Sequence, residues 1–375
     1  MQIVKYPPIY SPAFGEVVFQ ISAAAEELLE LDILANDQTT VIGKKRFRGS
    51  TLYRVNVAGY GRRQIEVTPQ RPAAFSFAFP DKRIINLTLR SGNVRAATVM
   101  SAGTKQLDSY AKLSGSPDTI PISASQQDEF TILVDDGIPL SAEARLTGPD
   151  HNTTLTAIAS TTAAGLTSIC LNMPHLDTKL RALGKGSLND YETLEIGVMI
   201  ETDQLLSQKY RLVPDSPDHI RLCWWNSFGQ IDYYTMLRSV SDTFKVDKTR
   251  IYTQEGYKTI HTRGETAMRL ISDFVTAQTM TWISEIIASP RVWIDQATGS
   301  NRWRSLPTGS SPLPTIYYNW RSNWSKANEP SIHTCNRLQI RNTYIRNTHT
   351  NANINTNPAT DDPMLYRQSG NRSRI

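Results

Sequence analysis

The feature that most restricts the fold of this chain is a period of two in its apolar residues. Tyr53, Val55 and Val57 alternate with Arg54 and Asn56; Ile85, Leu87 and Leu89 alternate with Asn86 and Thr88; Leu194, Ile196, Val198 and Ile200 step over Glu195 and Gly197. Successive side chains of a strand point to opposite faces, so each run predicts a strand with one buried and one solvated face, as in antiparallel sheets. Turn-forming clusters separate the runs: Asn36-Asp37, Gly49-Ser50, Ser91-Gly92-Asn93, Asp135-Asp136-Gly137 and Gly148-Pro149-Asp150. Many short strands with frequent turns predict a mainly β protein of several antiparallel β-sandwich or barrel-like domains, rather than βαβ units.

With 375 residues the chain exceeds the ~100–200 of one domain, so two or three domains are expected. The strand groups place them at 1–80, 81–207 and 208–306. A Ser- and Pro-rich stretch, 114–127, reads as a long loop inside the second. The segment 175–184 (HLDTKLRALG) reads as a short helix ended by Gly184. The third group carries one packed helix, 277–288. Trp282, Ile283, Ile286 and Ile287 share a face, Thr276 is placed to cap it, and Ser289-Pro290 stops it. The following RVWID, 291–295, reads as a returning strand.

From Pro307 the character changes to Asn, Thr, Arg, Ile and Ser without periodicity, as in IRNTYIRNTHTNANINTNPAT. Two readings stand: a disordered polar, basic tail, or an out-of-frame translation of what should continue the third domain.

The net charge of +5 invites a nucleic-acid reading, but all of it lies in this tail, with eight Lys or Arg against three Asp or Glu. The remainder is neutral, so an extended basic face and a nucleic-acid partner are not expected. Cys170, Cys223 and Cys335 are odd in number and far apart, forming neither a disulfide framework nor a metal knuckle. Cys170 and Cys223 sit in apolar runs and read as small buried hydrophobes. No secretory signal opens the sequence, and no apolar run approaches the ~20 residues of a membrane span. Membrane insertion is not expected.

A search for chemistry yields little. The six histidines form no zinc spacing, apart from His333 and Cys335 in the patternless tail. Asp218-His219 falls beside Pro214 and Pro217, in a connecting loop. Gly59-Tyr60-Gly61-Arg62-Arg63 lacks the third glycine and following helix of a phosphate loop; it reads as a turn with solvated arginines before a strand at 64–68. Asp135-Asp136-Gly137 lacks the spaced ligands of a calcium loop and reads as a hairpin turn. No Gly-x-Ser-x-Gly nucleophile elbow occurs. The expectation is a protein without catalytic residues, metal or cofactor.

The sharpest feature is an aromatic hairpin at 220–236. Ile220, Leu222 and Trp224 point to one face, Arg221, Cys223 and Trp225 to the other. Asn226-Ser227-Phe228-Gly229 makes the loop, and Ile231, Tyr233 and Tyr234 return. One face is expected on Trp282 of the helix; the other leaves Trp225 and Tyr234 partly exposed unless something covers them. Trp224, Trp225, Tyr233 and Tyr234 are therefore the interface or ligand-contact candidates. The readings are a core hairpin between domains, a protein–protein contact, or a glycan-stacking platform.

The run RLCWWNSFGQIDYYTM resembles a signature of tail-region structural proteins of bacterial phages and prophages: Arg-Leu, then Trp-x-Asn-x-x-Gly-x-x-Asp-Tyr-Tyr-Thr-Phe. Arg221, Leu222, Trp224, Asn226, Gly229, Asp232, Tyr233, Tyr234 and Thr235 match, and Met236 stands where Phe is usual. Fainter similarity appears at Tyr10-Ser11-Pro12-Ala13, Gly256-Tyr257 and IIASPRVW (286–293), and fades at Pro307. The resemblance implies a non-catalytic tail or baseplate part, assembled in the bacterial cytoplasm into a virion. Its implied partners are further copies of itself and other tail or baseplate proteins. The alternative is a carbohydrate- or receptor-binding surface module using the hairpin aromatics.

Overall fold

The structure, a computed structural model, describes residues 1–24, 26–163, 165–254, 256–272 and 275–295, with the strand segments Arg304–Ser305, Tyr317–Tyr318 and Arg337–Arg346. It is mainly β, as the alternation predicts, and built from several largely antiparallel sheets. The chain divides into two compact units, one of residues 1–245 and 265–343, the other of 246–264 and 344–375.

The larger unit begins with two sheets around one core. The three-stranded sheet has the order Gln2–Lys5, Val18–Ser22, Leu52–Asn56; the five-stranded sheet has the order Ser11–Pro12, Val94–Ser101, Ile84–Ser91, Leu29–Leu34, Val41–Phe47. Phe19, Ile21, Tyr53 and Val55 of the first meet Leu29, Leu31, Ile33, Ile85, Leu87 and Leu89 of the second. The apolar members of the first two alternations are thus the inward ones. Strands past residue 80 complete this layer pair, because Ile84–Ser91 pairs with Leu29–Leu34. There Arg90 donates to Asp32 at 2.7 Å across the strands.

The segment around Gly59 and Gly61 departs from expectation. It is a short helix, Ala58–Arg62, and residues 64–68 lie outside any strand. Asn56 Oδ1 accepts the Ala58 N–H at 3.0 Å, a side-chain turn just ahead of the helix. A Cβ on Gly61 would run into Met100, so glycine lets the turn lie against the core. Arg62 is exposed but not idle, donating to the carbonyls of Ala13 and Gly15.

The second pair of sheets has a five-stranded layer, ordered Thr119–Ser123, Asp203–Val213, Thr193–Ile200, Pro139–Thr147, Asn152–Thr162. Its three-stranded layer is ordered Gln127–Leu133, Leu166–Asn172, Ser76–Ala78. Leu194, Ile196 and Val198 point into the shared core with Phe130, Ile132, Ile169 and Leu171. The stretch expected as a loop at 114–127 contains the strand Thr119–Ser123, which pairs in parallel with Asp203–Val213. Its Ile120 and Ile122 are buried, and that burial outweighs the turn-forming composition around them. Gly137 has φ +85, suiting an Asp-Gly turn, but the turn is not a hairpin. It links Gln127–Leu133 to Pro139–Thr147, which belong to different sheets. The helix Met173–Ala182 is capped by Asn172, which accepts from His175 N–H at 2.9 Å, and Gly184 turns the chain with φ +67.

The last sheet runs in the order Arg304–Ser305, Val292–Asp295, His219–Trp225, Ile231–Thr253, Gly256–Ile271, Arg337–Arg346, Tyr317–Tyr318. The helix Ala277–Ala288 packs its Met280, Trp282, Ile283 and Ile286 into the core of the second sandwich. Thr276 caps it, accepting from Thr279 N–H at 3.2 Å, as predicted. Ile287, expected on the inner face, is half exposed. At about 100° per residue it falls between the buried Met280 and Ile283 around the helix, so its exposure reflects its place in the last turn and not its face.

The smaller unit holds the outer end of the ribbon made by Ile231–Thr253 and Gly256–Ile271. Only two residues separate these neighbouring strands, so they run antiparallel. At the tip Thr253 Oγ1 donates to Gly256 O at 2.9 Å, and Tyr252 and Tyr257 meet edge to face at 5.2 Å. The tail, expected as disordered or out of frame at 307–375, lies outside the described residues apart from the strands at 317–318 and 337–346.

Candidate interaction site

The aromatic hairpin forms with the register its alternation implies. Arg221 faces Thr235, Leu222 faces Tyr234, Cys223 faces Tyr233, Trp224 faces Asp232 and Trp225 faces Ile231. Asn226 explains the tightness of the turn. Its Oδ1 accepts the N–H groups of Phe228 and Gln230, both at 2.9 Å. Its Nδ2 donates to Leu113 O at 3.0 Å and to Asp232 Oδ1 at 2.9 Å. A carboxylate there could accept but not donate, and alanine could do neither.

Gly229 meets two separate demands. Its φ is +82, and a Cβ on it would stand 2.5 Å from the backbone carbon of Ala102. The loop opposite shows the same closeness, since a Cβ on Gly103 would stand 2.6 Å from the backbone of Phe228. The two backbones are laced together where Thr104 N–H and Lys105 N–H donate to Ser227 O at 2.8 and 3.0 Å. The hairpin turn is therefore seated on a loop of the first sandwich.

The two faces of the hairpin go to different cores. Leu222, Trp224, Tyr234 and Met236 join the second sandwich and the helix, with Trp224 and Trp282 ring centres 5.0 Å apart. Cys223, Trp225, Ile231 and Tyr233 pack with Val67, Ala102 and Trp293. Trp225 Nε1 donates to Ala102 O at 3.0 Å, and Phe14 meets its ring edge-on at 5.6 Å. Trp224, Trp225, Tyr233 and Tyr234 are all buried, the most exposed being Trp225 at 9%. What covers Trp225 is the first sandwich; what covers Tyr234 is Trp282. None of the four offers a ring face to solvent, which a stacking platform needs.

Polar side chains lock the same junction. Arg221 is buried and donates to Asp128 Oδ2 at 2.8 Å, Gln127 O at 2.7 Å and Thr235 Oγ1 at 2.7 Å. On the opposite face of the strand Gln127–Leu133, Glu129 accepts from Arg83 at 2.6 Å and from Gln70 N–H at 2.7 Å. Arg83 also reaches Gln230 Oε1 at 3.2 Å and Thr68 O at 2.8 Å. Both ion pairs are almost wholly removed from water. Asp232 accepts Trp282 Nε1 at 2.5 Å.

Burial governs the protonation of these groups. It pushes the Asp128 carboxyl up to about 7 against the pull of Arg221. It raises Asp232 to about 6 against the hydrogen bonds from Trp282, Ser114 and Asn226. The Cys170 and Cys223 thiols are buried and pushed upward by desolvation, so neither is an activated nucleophile.

No protein-family model matches this chain, and no curated protein is similar to it. The signature residues are accordingly understood through their contacts. Arg221, Trp224, Asn226, Gly229, Asp232, Tyr233, Tyr234 and Thr235 each hold one sheet, loop or helix against another. Arg83, Asp128, Glu129 and Gln230 were not singled out from the sequence. The adjacent acids Asp128 and Glu129, just ahead of the apolar Phe130, Ile132 and Leu133, were the available signal, since a carboxylate in a buried strand needs a partner.

A different kind of surface lies on the ribbon. At its outer end Val246, Ile251, Tyr252 and Tyr257 are exposed, the two tyrosines by 77% and 76%. Lys248, Thr249 and Arg250 are exposed as well.

Proposed function

We propose that this protein is a non-catalytic structural component of a phage-type or prophage-type tail or baseplate, acting by oligomeric assembly. The observation that carries the reading is the outer ribbon, where apolar and aromatic side chains stand in water on both faces of the strand. Tyr252 and Ile251 are neighbours in sequence and so point oppositely, yet both are exposed. Large exposed aromatics are favoured anchors of protein contacts. The signature hairpin supports the same reading from the other side, because it spends its aromatics on joining the chain's own sheets. The hairpin's own aromatics are thus used up inside the chain, and the exposed ribbon residues are the ones left for a neighbour. Such a part works by burying surface, about 1,200–2,000 Å² or more per contact. It belongs to the virion, assembled in the bacterial cytoplasm with copies of itself and other tail proteins.

Size-exclusion chromatography with light scattering on the full chain tests this. The wild type is expected as an oligomer, and Tyr252→Ser with Tyr257→Ser is expected to shift it toward the monomer without altering its circular dichroism. A wild type that stays monomeric at high concentration counts against assembly.

A further inference from the structure

Beside the hairpin turn a recess of about 190 Å³ opens among Phe14, Thr104, Trp225, Glu285 and Ser289. Three independent features give it one electrostatic preference. Glu285 contributes a carboxylate, its side chain 23% exposed. Ala288 and Ser289 also line it, at the C-terminal end of the helix Ala277–Ala288, whose last turn has no basic residue. The carbonyls of a helix C-terminus carry the negative end of the dipole. Phe14 supplies an aromatic wall, and ring faces attract cations; the almost wholly buried Trp225 only borders the recess. The residues already at the rim obey this preference. Arg62 lies over the Phe14 ring at 5.5 Å, and Lys105, half exposed, stands 3.6 Å from Glu285 and 4.9 Å from the Phe228 ring centre. Ser227 holds the carboxylate in place, its hydroxyl donating to Oε1 at 3.0 Å.

A complementary surface exists on the same polypeptide. Lys248, Arg250 and Tyr252 are exposed and, being two apart on one strand, share a face of the outer ribbon. We propose that the recess takes a lysine or arginine side chain from the ribbon of a second copy, with Glu285 as its counter-charge and Phe14 as its aromatic wall. This rests on the assembly reading above and names the contact that would make it. An arginine could lie against Phe14 while pairing with Glu285, displacing the water-exposed Lys105 ammonium to the rim.

The test is self-association of the full chain, followed by light scattering at low and high salt, with thermal unfolding as a check of folding. The wild type is expected to associate and to weaken as salt rises. Glu285→Gln, which keeps an acceptor for Ser227, and the double change Lys248→Ala with Arg250→Ala are each expected to weaken association at least about tenfold. Phe14→Ala, at a side chain already partly in water, is expected to act in the same direction and guards against a misfolded Glu285 variant. Combining Glu285→Lys with Lys248→Glu and Arg250→Glu in one chain should restore association. Oligomers indifferent to Glu285→Gln and Phe14→Ala overturn the recess while leaving assembly intact. Loss on changing Glu285 but not on changing the ribbon cations overturns the ribbon as occupant. A monomeric wild type overturns both proposals.

Discussion

At Gly229 a backbone angle and a close approach coincide, and they can be separated experimentally. Its φ of +82 is a left-handed conformation that side chains disfavour, and the Ala102 backbone occupies the space a Cβ would need. Gly49 has a similar φ, +88, but nothing within 4 Å of its missing Cβ. Gly49→Ala therefore carries only the conformational strain, about 1 kcal/mol. Gly229→Ala adds a backbone clash that unseats the turn from the first sandwich, and a loss of roughly 3 kcal/mol is expected. Denaturant midpoints of the two variants against wild type measure the difference; equal losses would show that the turn does not dock as described. The glycine was visible in the sequence as a turn residue. Its second duty was not, since Ala102 lies more than a hundred positions away and no local pattern relates the two.

The helix Ala277–Ala288 shows the same division at the scale of an element. Its start at Thr276 and stop at Ser289-Pro290 were legible because capping and the pre-proline restriction are local. Its inner stripe was legible only in part, since three isoleucines and one tryptophan leave the choice of face to whatever lies opposite. What lies opposite is Asp232, whose carboxylate accepts the Trp282 indole N–H at 2.5 Å. Trp282→Phe should keep the helix and much of the packing while removing that donor. The Asp232 carboxyl, already raised to about 6 by burial, is expected to rise further. Stability at pH 8 should fall by about 1–3 kcal/mol, the cost of a buried acceptor left short of a partner. Carbon-detected NMR of the side-chain carboxyl reads the titration directly; an unchanged or lower value would refute the role given to Trp282.

For the whole molecule the buried carboxylates set an unusual pH dependence. Asp128 and Asp232 are raised by burial to about 7 and about 6, above the ~3.9 of an unfolded aspartate. Between those limits the folded chain holds protons that the unfolded chain has released, so stability falls as pH rises through the window and grows as pH drops from 7 toward 4. The opposite sign applies to Asp32, Glu66 and Asp177, whose carboxyls are lowered, the first two chiefly by Arg90 and Lys82 and the last, against burial that pulls it upward, by hydrogen bonds from Leu188, Ser187 and Arg181. Their contribution is present above about pH 4 and lost below it. The stability maximum is therefore expected on the acid side of neutrality, near pH 4–6. Urea unfolding from pH 3 to 8 measures it, and a maximum above pH 7 would contradict the protonation described.

The sequence by itself determined the class of the fold, the inward members of its alternating strands, the two helices with their stops, and the two-faced character of the hairpin. These follow from periods of two and of 3.6 and from short-range capping, all properties of neighbours along the chain. The tertiary structure decided where the faces go: Leu222 and Trp224 to one core, Cys223 and Trp225 to another, with Arg221–Asp128 and Arg83–Glu129 closing the seam between them. It also moved Ser76–Ala78 into the second sandwich and Ile84–Ser91 into the first, across the boundary that strand grouping alone suggests. The reason is that a strand's pattern states which face must be buried and is silent about which partner buries it. That choice is made by pairing across dozens of residues, where charge, shape and backbone closeness are compared in space.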